Sequence, residues 1–186
     1  MTNVEIAAKR VEQCMKDLRQ ARLDLELAQE AERKEQTRVL NLRLATEAVR
    51  DLMKAHKAGK LQPVKEPFSL FGYSTDKLRK HLESKYKVNP FIITWDKVTI
   101  AFDQNRYQNI TGVGHEGGRE PIEDAPPLIA WYSSAVLLQN LIKQGRLQPT
   151  ENISVIPTPG YKRVTIDGLV YELPETILKG SIPALA

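Results

Sequence analysis

The chain has 186 residues, which suits one ordinary domain with an extension or two small domains. Its net charge of +4 is modest and falls unevenly, with 13 Lys/Arg against 10 Asp/Glu in residues 1–60 and 14 against 13 in the remainder, so neither part reads as a nucleic-acid binder on charge alone. The single cysteine, Cys14, excludes a disulfide framework within one chain and suits a reducing compartment.

The first element predicted is a long helix. Residues 3–58 contain neither Gly nor Pro. Thr2 and Glu5 stand at the spacing of a capping box, which satisfies amide donors at a helix start. Lys54, His56 and Lys57 fall in the last turn, followed by Gly59 and Pro63, stop signals in the expected order. A continuous helix of this length spans roughly 80 Å at about 1.5 Å per residue.

Its apolar residues repeat in heptads. Val4, Ala7, Val11, Cys14, Leu18, Ala21, Leu25 and Ala28 alternate at spacings of three and four, Glu32 and Glu35 interrupt the stripe, and Val39, Leu42, Val49 and Met53 resume it. Pairs such as Glu5–Lys9, Glu12–Lys16 and Glu30–Lys34 lie four apart in the favourable order. Two geometries fit: a continuous helix that pairs with another chain, or a hairpin that turns within residues 29–38. The continuous helix is favoured, because that stretch lacks the Gly, Pro, Asn or Asp of a turn. The seam of Val4, Val11, Cys14, Leu18, Leu25, Val39, Leu42 and Val49 needs a partner to bury it. The helix, residues 1–59, is therefore expected to be a coiled-coil-like arm for homo-oligomerisation or for docking a helical protein partner, the alternative being a helix that packs on its own C-terminal domain. Cys14 is expected to be a small core residue, a Cys14–Cys14 bond across a helix pair being the alternative.

The first turns carry Glu5, Lys9, Arg10 and Glu12 where a secretory signal has an apolar stretch. The longest uncharged run, 125–142, opens with two prolines and contains Ser133, Ser134, Gln139 and Asn140, which fits a buried helix better than a membrane span. A cytoplasmic protein without membrane contact is expected.

Residues 60–67 read as a linker, and residues 68–186 as a compact α+β domain with short antiparallel strands. Ser74 is placed to cap a helix over 75–86, with Leu78 and Leu82 on one face. Residues 91–95 and 98–102 are β-branched and aromatic runs separated by Asp96-Lys97, and predict a hairpin or two short strands. Residues 103–118 form a polar, Gly-rich loop. A second helix over 128–144 is apolar almost all round and ends at Gly145, which identifies it as the central core helix. Residues 152–156 are a strand candidate. Asp167-Gly168, between alternating runs over 164–171, predicts a two-residue hairpin turn. Residues 175–179 suit a final helical turn.

The stretch Phe71-Gly72-Tyr73-Ser74-Thr75 with Leu78, His81-Leu82-Glu83 and then Thr94-Trp95-Asp96 resembles the segment that precedes the catalytic core of phage-type HNH endonucleases. The resemblance covers residues 71–96 and implies a phage or mobile-element origin, which would make the host cytoplasm the compartment. In that family a metal-binding His cluster comes next. Here the following residues are Lys97-Val98-Thr99-Ile100-Ala101-Phe102, so the catalytic residues have no positions to occupy. The resemblance thus implies a nuclease-like scaffold without the nuclease, used for DNA contact or protein binding.

Lys77, Arg79, Lys80, Lys85 and Lys87 outnumber Asp76 and Glu83 on one short helix, and cations so clustered are candidates for phosphate contact. Tyr73 and Tyr86 flank them as candidates for base stacking or for the core. His115, Glu116, Arg119, Glu120, Glu123 and Asp124 form a second polar cluster, whose spacing matches no metal loop; an acidic loop is the simpler reading. Gly112, Gly114, Gly117 and Gly118 lack the Lys-Ser/Thr of a phosphate loop, and no nucleophile elbow is present. No catalytic residue, metal site or cofactor is expected. The leading reading is a non-enzymatic interaction protein. DNA binding through the basic helix is the alternative, and an enzyme whose site is not legible in the sequence is the third reading.

Overall fold

A computed structural model describes residues 2–61, 75–104, 132–151 and 156–180. The chain divides into two compact units, Met1–Leu40 and Asn41–Ala186.

Helix α1 runs unbroken from Asn3 to Lys57, so the polar stretch 29–38 is helical and no hairpin forms there. It supplies the whole of the first unit and the opening element of the second. Its start is the expected capping box: the Thr2 amide donates to the Glu5 carboxylate at 2.9 Å, and the Glu5 amide donates to Thr2 Oγ1 at 3.4 Å. Glu5 therefore turns back on the cap and not forward to Lys9. Glu12–Lys16 and Glu30–Lys34 close as ion pairs at 2.8 and 2.6 Å. Every residue from 2 to 40 is exposed in the single chain.

The second unit is α+β. After α1 come α2 (Thr75–Tyr86), β1 (Pro90–Trp95), β2 (Val98–Asp103), α3 (Tyr132–Lys143), β3 (Tyr161–Ile166), β4 (Leu169–Pro174) and the single turn α4 (Glu175–Leu178). The four strands form one antiparallel sheet in the order β2-β1-β3-β4. Because side chains alternate across a strand, Phe91, Ile93, Trp95, Ile100, Phe102, Val164, Ile166, Tyr171 and Leu173 share one face. They form a single buried cluster with Ala48, Val49, Leu52 and Ala55 of α1 and Ala135, Leu138 and Leu141 of α3. Leu78 and Leu82 of α2 are buried apart from that cluster, as are Ile92 and Ala101 of the opposite face, and α2 lies against β1.

The boundary between the units differs from the expected one at residue 59. Asn41, Ala45, Thr46, Ala48, Val49, Leu52 and Ala55 are all buried, so the last third of α1 belongs to the domain core. Asn41 marks the junction: its Oδ1 accepts from Arg146 Nη2 at 2.7 Å and Nε at 3.2 Å. Leu61, expected in the linker, is likewise buried in the core, and residues 62–67 lie outside the described residues, as do 128–131 and 152–155 of the elements expected there.

The second unit is built twice from the same parts. Helix α1 ends with Gly59 at φ +70°, the Gly59 amide donating to His56 O and the Lys60 amide to Ala55 O. Helix α3 ends identically, with Gly145 at φ +65°, its amide donating to Ile142 O and that of Arg146 to Leu141 O. Both are Schellman caps, in which glycine takes the left-handed conformation that other residues resist. The chain then reads Gly59-Lys60-Leu61-Gln62-Pro63 in one case and Gly145-Arg146-Leu147-Gln148-Pro149 in the other, with Leu61 and Leu147 both buried. The buried residues Ala48, Val49, Leu52 and Ala55 stand at the same distances from their glycine as Ser134, Ala135, Leu138 and Leu141.

A hairpin comes later in each half, after α2 in the first, turning at Asp96-Lys97 or at Asp167-Gly168, with both aspartates at positive φ. The shift along the chain that carries Asp96 to Asp167 also carries Trp95↔Val98 onto Ile166↔Leu169. The pairing between the repeats is symmetric under it, with Thr94 opposite Thr165 and Ile93↔Ile166 mirrored by Trp95↔Val164. The sheet thus has pseudo-twofold symmetry centred on Thr94 and Thr165.

Candidate functional site

The structure splits the expected seam between two environments. Val4, Val11, Leu18, Leu25 and Val39 are exposed by 77, 59, 73, 58 and 52%, and Cys14 is exposed as well, so Cys14 is not a core residue of the single chain. Leu42 packs on the domain core and Val49 lies within it, so these two positions are covered by the chain itself. One periodicity therefore lies in two environments along one helix.

The basic helix is divided too. Lys77, Lys80 and Lys87 are exposed, Lys87 standing at φ +56° just past the end of α2. Arg79 is committed internally: Nη1 donates to Pro90 O at 2.9 Å, and Nη2 pairs with Asp167 in the β3–β4 turn. That clamp ties α2 to both hairpins and corrects the expectation that Arg79 faces a phosphate. The Lys85 and Tyr86 side chains, Tyr73, and the polar cluster from His115 to Asp124 lie outside the described residues. Among the described residues, no three His, Cys, Asp or Glu are grouped to hold a metal, and no helix is long and apolar enough to cross a membrane.

A third surface, assembled from separate segments, is the most organised. At one end of the sheet β1, β2 and β3 border a groove of about 570 Å³, flanked on one side by the last turns of α1 and on another by α4. Among the described residues five cations line it: Arg50, Lys54 and Lys57 from α1, Lys162 from β3, and Lys179 after α4. Two carboxylates oppose them. Asp96 accepts from Lys162 at 2.6 Å and Glu175 from Lys179 at 2.7 Å. The Lys179 hydrogen bond holds the Glu175 carboxyl below its ordinary value, with the charges of Lys179 and then Lys162 adding to the effect. Arg50 reaches Asp51 at 3.6 Å, while Lys54 and Lys57 are exposed and form no ion pair among the described residues.

The floor is Trp95, which is only 4% exposed, with Met53, Val98 and Leu178. His56 stands edge-on to Trp95 at 6.4 Å between ring centroids, and its Nδ1–H donates to Leu61 O at 3.1 Å, which fixes the ring at the helix end. Sequence reasoning missed this groove because its cations are far apart along the chain. The signal that reveals it is the internal repeat. Arg50, Lys54, His56 and Trp95 correspond to Val136, Asn140, Ile142 and Ile166, whereas Lys57 corresponds to Lys143.

No protein-family model, curated protein or solved structure matches this chain, so its functional reading stands on its own residues.

Proposed function

We propose that this chain is a non-enzymatic interaction protein whose arm, residues 3–40, pairs with a second copy while the α+β unit recognises a macromolecular partner. The observation that carries the reading is that the heptad seam from Val4 to Val39 lies exposed on a helix that contributes no buried residue before Asn41. Burial of such a stripe is what stabilises helices of this kind.

A parallel, in-register pair suits the residues. Valine and leucine alternate with Ala7, Cys14, Ala21 and Ala28, small residues that let two backbones approach. Asp17 then lies opposite Arg22 of the partner helix, one heptad on, an attractive edge pair. Eight Lys/Arg balance eight Asp/Glu over residues 1–40, so net charge does not oppose association. Pairing runs from Val4 to Ala28 and stops at Glu32 and Glu35. Arg38 hydrogen-bonds the Glu35 carboxylate at this break in the seam and holds it below its ordinary value.

Light scattering tests the arm. The wild type is expected at twice the chain mass at tens of micromolar, and Leu18→Asp at the monomer mass. Mild oxidation is expected to link Cys14 to Cys14, since a parallel register sets the two thiols face to face. A monomeric wild type overturns the self-association, and a dimer that resists the cross-link overturns the parallel register.

The alternative, a DNA-binding protein on a degenerate nuclease-like scaffold, is supported by the exposure of Lys77, Lys80 and Lys87 on and beside α2. It loses Arg79 to the clamp with Asp167.

A further inference from the structure

The duplication supplies an internal control for the groove. Both repeats build a helix, a Schellman cap and a hairpin, yet only the first places Arg50, Lys54 and His56 at positions where the second has Val136, Asn140 and Ile142. The second repeat forms the same cap and hairpin without a cation at the positions of Arg50 and Lys54, so those two elements do not require one there. Lys57 has a counterpart in Lys143, and both suit the negative end of a helix dipole. Lys162 and Lys179 come from the other repeat and complete the basic wall across the groove.

We propose that this groove binds the phosphate backbone of a nucleic acid, without reading its sequence. The cations come from three elements and are spread along an open cleft, an arrangement that follows a linear polyanion and does not converge on one phosphate. Arg50, Lys54 and Lys57, at spacings of four and three, line one side of α1 about 5–6 Å apart. Trp95 is only 4% exposed, so the floor offers no open ring for base stacking. Four of the five cations are lysines, which contact phosphates as point charges. The pairs Lys162–Asp96 and Lys179–Glu175 show the cleft already holding anionic oxygen, from which a phosphodiester chain would take over the lysines. The whole +4 of the chain lies in the unit that carries the groove, with 19 Lys/Arg against 15 Asp/Glu in residues 41–186.

The inference rests on the reading that the second unit recognises a macromolecule and is independent of arm pairing, which the Leu18→Asp variant tests separately. The experiment is fluorescence anisotropy of the full chain with labelled single-stranded and duplex oligonucleotides of two unrelated sequences, across a salt series. Binding is expected to be alike for the two sequences and to weaken steeply with salt. Lys54→Glu with Lys179→Glu is expected to weaken it about tenfold or more at low salt and to lower the logarithmic salt slope by about two, one for each lost phosphate contact. Lys54→Asn, the residue of the second repeat, should leave the thermal melt unchanged and give a smaller loss of the same kind. Lys77→Glu with Lys80→Glu is the control on α2 and should leave binding intact. The proposal is overturned by absence of binding at low salt, by binding indifferent to the groove variants, or by binding lost in the α2 control. It is equally overturned by a polyglutamate peptide that competes as well as an unlabelled oligonucleotide, which would assign the groove to an acidic protein.

Discussion

Tyr171 and Ile100 occupy matching positions of the two hairpins, but only the tyrosine carries a hydroxyl into the core. Tyr171 is 1% exposed and its hydroxyl has no hydrogen-bond partner among the described residues. An unpaired buried hydroxyl costs more than an apolar group of the same shape, so Tyr171→Phe should stabilise the fold by about 1 kcal/mol in chemical denaturation. Burial, with the charge of Asp167 adding to it, raises the phenol above its ordinary 10.0. A raised folded value means that stability is intact below pH 10.0 and falls above it, as the unfolded chain ionises first. The Phe variant should lose that alkaline decline, and a decline equal to wild type would show that the phenol is not its source. At this scale the sequence was partly legible. Gly145 and Asp167-Gly168 stood out because their conformational demands are local, whereas the fate of Arg79 depended on Asp167, far along the chain, and could not be seen.

At the scale of elements, Glu172 on β4 ties its hairpin to the preceding segment. Its carboxylate accepts from the Thr158 hydroxyl and amide and from Arg163 Nε at 3.3 Å. These partners, Thr158 first, hold it below its ordinary value of 4.5. With the folded value depressed, the contribution is present above pH 4.5 and disappears as pH falls through the lower folded value. Glu172→Gln should therefore flatten the acid limb of melting temperature against pH, with its effect largest at neutral pH and shrinking below 4.5. An unchanged limb would assign acid sensitivity to other carboxylates. The strands and hairpins were legible from alternation and turn chemistry, and the α+β class followed from their order. The end of the arm was not legible. Spacings of three and four run through Leu18, Leu42 and Val49 alike, and periodicity does not distinguish a side chain that awaits another helix from one packed on its own domain.

For the whole molecule, the division at Asn41 predicts independence. No residue of 2–40 is buried, whereas Asn41 is anchored by Arg146. A chain beginning at Asn41 should melt cooperatively within about 3 °C of the full protein, and loss of the cooperative transition would show that the core draws on the arm. The candidate groove escaped a reading along the chain because its residues lie on α1, β1, β2, β3 and around α4, far apart in sequence.

The separation of charge between the units has a consequence for control. The arm is balanced and the second unit carries the whole surplus of +4. Apolar pairing is strengthened or left alone by salt, while phosphate contacts are screened by it. If both proposed associations hold, they would answer to different settings of one variable: raising ionic strength would release a polyanion from the groove while leaving apolar arm pairing in place.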